Sequence, residues 1–358
     1  TDAIQALTTS GIRGLSSDQV SAITTAQLAA VTTSQVAGLT TAQVVALTTA
    51  QAAKLSTDQV SALTTAQVNN LETASLAKLS TDAVVSLNSA QLKALSTAQI
   101  SAMTSAQTAA LTSDQVGSLS TPQLAALLVG TQMSAMTTAQ VVALTTAQIV
   151  ALTTLQASQL SSAQVAAMST AQIAAIETVD FAKISTAALS GLTAEQSAKL
   201  TTDQIVALTT AQASQLSATS SGALTSAQVA ALETVDLANL STDAIQALTT
   251  SALAGLSAAN QVAKLTTTQI GALSSAQISS LSTAQVTALV TAQTNKLSSD
   301  HISALTTAQL INLSTTQFSV LPTASIAGLT SSQIPTLLTA SLTALSSDQV
   351  VGMSAKQF

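Results

Sequence analysis

Apolar residues return along this chain every eight positions. Leu7, Leu15, Ile23, Val31 and Leu39 open a series that keeps its phase to Leu127, resumes at Met136 and runs to Leu256, then resumes at Leu265 and runs to Met353. A second apolar residue follows five places after most anchors, as Val44 follows Leu39. One unit reads Leu-Thr-Thr-Ala-Gln-Val-x-Ala, numbered here as positions 1 to 8. Two units, "LLVGTQMSA" at 127–135 and "LSAANQVAK" at 256–264, carry one extra residue each. Neither reads as a linker, so residues 1–358 read as a single continuous octapeptide-repeat solenoid.

The polar positions say what each unit forms. Thr or Ser fills position 2 in 36 of the 44 units, and Gln commonly follows three residues later. That is a capping box: the hydroxyl accepts from the backbone of the third helical residue, and the Gln side chain returns to the cap's own N–H. The apolar residue before the cap packs on the fourth helical residue as a hydrophobic staple. Positions 1 and 6 stand in that relation. All 15 acidic residues lie at positions 2, 4 or 5, and eight of nine basic residues lie in the last two places of a unit. A helix dipole favours that distribution. Nine of 11 Gly also fall at positions 7 or 8, where helices end. Pro122 and Pro322 lie near starts, whereas Pro335 at position 7 is expected to distort its unit.

Competing periods fit less well. A continuous helix would rotate the anchor by about 80° per unit, so no apolar face would persist. In a strand, positions 1 and 6 would point to opposite faces. The expectation is an all-α solenoid of short helices, about six residues each, one per repeat, stacked into an elongated superhelical rod. Burying one Leu and one Val gains on the order of 3–6 kcal/mol. Ordering eight residues costs about 12 kcal/mol, so units must stack to be stable. Positions 3, 5 and 7 are expected at the wet surface. Longer echoes recur at 56 residues, including "ETVDFAK" at Glu177 and "ETVDLAN" at Glu233. Fifty-six residues is seven units, which fits either a duplication or a superhelical period.

Composition narrows the chemistry. Charged residues are 7% and the formal net charge is −6. Arg13 and the scattered Lys form no basic stripe, which argues against nucleic acid as a partner. Cysteine is absent, so no disulfide or thiolate site exists. No stretch approaches the roughly 18 apolar residues of a membrane span. Thr1 falls inside a repeat and the final "MSAKQF" is an unfinished one, so the chain is expected to be a segment of a longer protein.

Candidate catalytic, cofactor-binding and metal-ligating residues reduce to none. His301 is the only histidine, sits at position 5 beside Asp300, and reads as a surface substitution for the capping Gln. Met103, Met136, Met168 and Met353 occupy position 1, and Met133 the apolar slot of a nine-residue unit, so all five read as core. The pairs Glu177/Asp180 and Glu233/Asp236 are the candidates for a weak calcium site, but they lack the dense Asp and Gly of calcium-binding repeats. No G-x-S-x-G, P-loop or G-x-G-x-x-G occurs. An enzyme is not expected, and neither is a cofactor.

The tandem "LTTAQ-V/I-x-A" octads resemble those of very long repetitive proteins of proteobacteria, some labelled as adhesin-like or haem-utilisation proteins. The resemblance covers nearly all of the chain. It implies secretion and a place at the bacterial cell surface. The haem label transfers poorly to a segment with no Tyr, no Cys and one His. The expected function is therefore structural: an extracellular filament, surface layer or adhesin stalk that self-associates end to end or laterally. The alternative is a solenoid binding module for a polysaccharide or protein ligand.

Overall fold

In the computed structural model, residues 2–127, 132–353 and Gln357 are described. Among them every regular element is a short helix, most of four to six residues, and no strand occurs. The first nine-residue unit lies partly outside the described residues, at 128–131.

The unit at Leu39 shows how the octad folds. Thr40 is extended, with φ −73° and ψ 158°, and precedes the helix Thr41–Val45. The Thr40 hydroxyl accepts from the Gln43 backbone N–H at 3.2 Å, and Gln43 Oε1 accepts from the Thr40 N–H at 2.8 Å. The helix ends at Ala46, and Leu47 N–H closes on the Val44 carbonyl at 3.2 Å. Leu47 then opens the next unit. The same capping box recurs through most of the chain, with Ser in place of Thr at Ser56 and Ser96 and Asn at Asn88. Positions 1 and 6 form the core, as Val44, Leu47, Val60 and Leu63 illustrate.

Position 5 departs from the sequence expectation. Its glutamines are buried, with Gln43, Gln67 and Gln140 no more than 2% exposed. The reason lies in the shortness of the helices. The last four carbonyls of any helix lack an internal partner, and in a five-residue helix that is most of them. The glutamine amide supplies the missing donor from another turn. Gln43 Nε2 donates to the Ile12, Arg13 and Leu15 carbonyls at 2.9, 3.2 and 2.7 Å. Its Oε1 caps its own helix while its Nε2 closes the end of an earlier one.

The chain divides into two compact units, 1–176 and 177–358. In the first, Gln51 reaches Ile23, Gln99 reaches Leu71 and Gln172 reaches Leu144, each 28 residues back. In the second, Gln212 reaches Ile184 and Gln317 reaches Leu289 across the same 28 residues. Helices three units apart also pack together, such as Thr9–Arg13 on Thr33–Gly38 in the first and Ala218–Gly222 on Thr242–Ala247 in the second. Each superhelical turn therefore takes between three and four octads. The 56-residue echo from Glu177 to Glu233 is twice the 28-residue spacing of these bonds.

Irregular units keep this register. After the extra residue at 256–264, Gln269 and Gln277 reach 29 residues back, to Leu240 and Leu248. The register is thus counted in units and not in residues. Within the nine-residue unit, Ser257 N–H donates to Gln261 Oε1 four residues on, and a 3-10 turn at Val262–Lys264 replaces the α-helix. Pro335 has the effect expected of it. It lacks an N–H, and its unit forms a 3-10 turn at Ile334–Thr336.

Candidate functional site

His301 is buried, only 5% exposed, which corrects its reading as a surface substitution. Its Nδ1 accepts from the Ser298 N–H at 3.2 Å, and its Nε2 lies 2.7 Å from the Leu273 carbonyl. A carbonyl only accepts, so the proton sits on Nε2 and the imidazole is neutral in this arrangement. The ring reproduces both halves of a position-5 glutamine. Both nitrogens are committed to structure, and Asp300 is exposed.

The methionines lie where their positions place them. Met103, Met133, Met136 and Met168 are buried in the core, and Met353 is half-buried. No group of three or more His, Asp or Glu side chains that could hold a metal ion is found among the described residues.

The two "ETVD" phrases hold the least regular chemistry. Glu177 and Glu233 occupy the cap position without making a side-chain cap bond. Asp180 and Asp236 take the glutamine slot and are buried, 2% and 1% exposed. Proximity to a helix start accounts for the exposed acids but not for these two. Burial, followed by the nearby Glu177 charge, raises the Asp180 pKa above the ordinary carboxylate range. Burial also raises that of Asp236; nearby Thr210 partly offsets this and the Glu233 charge adds to it. Thr210 lies close enough to favour the charged form, yet neither Asp236 carboxylate oxygen makes a hydrogen bond.

One cleft of about 350 Å³ opens beside the second nine-residue unit. Glu233, Thr234, Val235, Ser257, Asn260 and Gln261 are among its walls. It exists because the extra residue replaces a tight helical turn with a wider loop. Its lining offers hydrogen bonds and one carboxylate, but no nucleophile paired with a base. Much of the surface is built from positions 2, 3, 4 and 7, where Thr, Ser, Ala and some Val are exposed.

Sequence reasoning missed the glutamine ladder, although a signal for it exists. A capping box works equally well with Glu or Gln. None of the four Glu in the chain stands at position 5. Of these two only the amide also donates, so the exclusion of Glu marks a second bond beyond the cap.

No curated protein matches the sequence. The family model for the ALTTAQ repeat matches residues 1–33, 22–57, 36–73, 68–105, 84–121, 173–210, 229–267 and 260–299. These matches span well over half of the sequence, and the octad they describe is the capped, glutamine-bridged helix described above: the chain belongs to the ALTTAQ repeat family.

Proposed function

We propose that this chain is a structural repeat array, displayed outside a bacterial cell as filament, surface-layer or stalk material, and that it acts without catalysis. The observation that carries this reading is the glutamine ladder. Within each compact unit, turns are joined by the same bonds, from Gln43 to Leu15 in the first and from Gln317 to Leu289 in the second. Such a device adds length without changing the surface, as stacked repeats do. The resemblance to long secreted repeat proteins supports the location.

Self-association follows from the same bonds. The bond that Gln43 makes to an earlier turn of its own chain is one that a turn of a second copy offers as well. Purified chain is expected to form fibres or ordered oligomers as concentration rises, seen by electron microscopy and light scattering. Chain that stays monomeric at high concentration, with no fibres, refutes the assembly.

A second reading is a binding module for a polysaccharide. The exposed hydroxyl surface and the cleft at Glu233 and Asn260 favour it. Saturable binding of one glycan class on an array, lost in Asn260→Ala, would establish it.

A further inference from the structure

Position 5 is a donor slot. Glutamine or serine there donates to the carbonyl of the position-1 residue three units earlier. Glutamines fill it with an amide, as Gln212 does on Ile184. Serines fill it with a hydroxyl: Ser220 donates to the Leu192 carbonyl at 3.4 Å, and Ser325 to Leu297 at 2.5 Å. Ala244 and Ala252 leave the slot neutral and apolar.

Asp236 stands in this slot with Leu208 28 residues before it. Its helix, Thr234–Asn239, packs on Thr210–Ser214. Both carboxylate oxygens are buried without a hydrogen bond, and among the described residues the Leu208 carbonyl accepts none. An ionised carboxylate here would set two acceptors against each other inside the core. No buried counter-charge faces it among the described residues. Thr210–Ser214 and Ser226–Ala231 carry no titratable side chain. Of the neighbouring charged groups, Glu233, Asp203, Asp243 and Lys264 all reach solvent.

We propose that Asp236 is held as the neutral carboxylic acid, donating its proton to the Leu208 carbonyl, and that loss of this proton to solvent opens the layer between Thr210–Ser214 and Thr234–Asn239. The array then contains a weak point set by pH. The acid binds its proton more tightly when folded, because burial and then the Glu233 charge raise its pKa, with Thr210 opposing. For a folded pKa above the unfolded one, stability is greatest at acid pH and falls as pH rises between the two values. Above the folded pKa the cost is fully present.

Local hydrogen exchange across residues 203–240 tests this in the full chain. Wild-type protection, divided by that of Asp236→Asn, is expected to fall from acid to neutral pH, since an acid that binds its proton more tightly when folded loses that stabilisation as pH rises. Asn keeps the shape and donates at every pH. Asp236→Ser, which copies the hydroxyl of Ser220, gives a second flat reference if the Asn variant does not fold. The Asp236 carboxyl-carbon shift in wild type reads the ionisation directly. A ratio that does not change with pH, or a carboxyl that titrates in the ordinary range, overturns the proposal. So does wild-type protection at neutral pH that depends on added calcium or sodium chloride, which would put a cation where the proton is placed here.

Discussion

Gln67→Leu removes one rung of the ladder while keeping a side chain of similar length. Gln67 is 2% exposed. Its Oε1 accepts from the Thr64 N–H at 2.7 Å, and its Nε2 donates to the Val36, Ala37 and Leu39 carbonyls at 2.9, 3.3 and 2.7 Å. Leucine makes none of these bonds. The Val36 carbonyl keeps the Leu39 N–H as a partner, but the Leu39 carbonyl loses its only one and the Thr64 N–H loses its acceptor. An orphaned buried group costs about 1–3 kcal/mol. Thr64 lies at the surface, so water partly satisfies its N–H. Leucine's own burial returns about 1–2 kcal/mol. The net expectation is a loss of about 1–3 kcal/mol. Hydrogen exchange should localise that loss to Thr33–Gly38 and Thr65–Asn69. Gln19→Leu is the control, because Gln19 is exposed and reaches no earlier turn. Gln67→Glu should be worse than leucine at neutral pH. It keeps the acceptor for Thr64 but sets a charged oxygen against the Leu39 carbonyl, and the deficit should shrink on acidification. A loss below about 0.5 kcal/mol for Gln67→Leu, or one spread evenly over remote units, refutes the ladder as a source of stability.

Three further substitutions check other parts of the packing. Thr108→Val should stabilise by about 1–2 kcal/mol in chemical denaturation, because the Thr108 hydroxyl is buried without a partner at an apolar position; a loss would mean that the hydroxyl is satisfied. Gly255→Ala should cost about 1–3 kcal/mol, since a Cβ there would overlap the Ser226 backbone where Thr250–Leu253 packs on Ser226–Ala231; wild-type stability would show that the helices separate freely. His301→Gln should leave thermal stability within about 1 kcal/mol of wild type, whereas His301→Ala should lose about 1–3 kcal/mol. Equal losses in the two variants would refute the imidazole as a stand-in for glutamine.

The ladder also explains why Gln predominates at position 5, whereas an exposed position takes many residue types. Position 7 touches solvent and takes Ala, Ser, Val, Lys or Gly. Position 5 must serve two helices at once. The His301 imidazole still does so, whereas the structure departs from the rule at Ser75, whose hydroxyl reaches only the earlier turn, and at Asp236, a buried acid. These exceptions are the places where the chain differs from a uniform stack.

Each octad carries its own local structure. Thr40 and Gln43 start a helix, Leu39 and Val44 bury themselves, and Pro335 spoils its unit, all from interactions within a few residues. That is why helix boundaries and the core were readable from spacing alone. The partner of the Gln43 amide was not, because it lies 28 to 31 residues away, and only the superhelical turn brings those carbonyls within hydrogen-bonding distance. The same turn buried His301, Asp180 and Asp236, which local reasoning placed at a wet surface. Short-range bonds decide that there is a helix in every octad. The curvature of the stack decides which of its polar faces becomes interior, because the ends of such short helices need donors that their own unit does not hold.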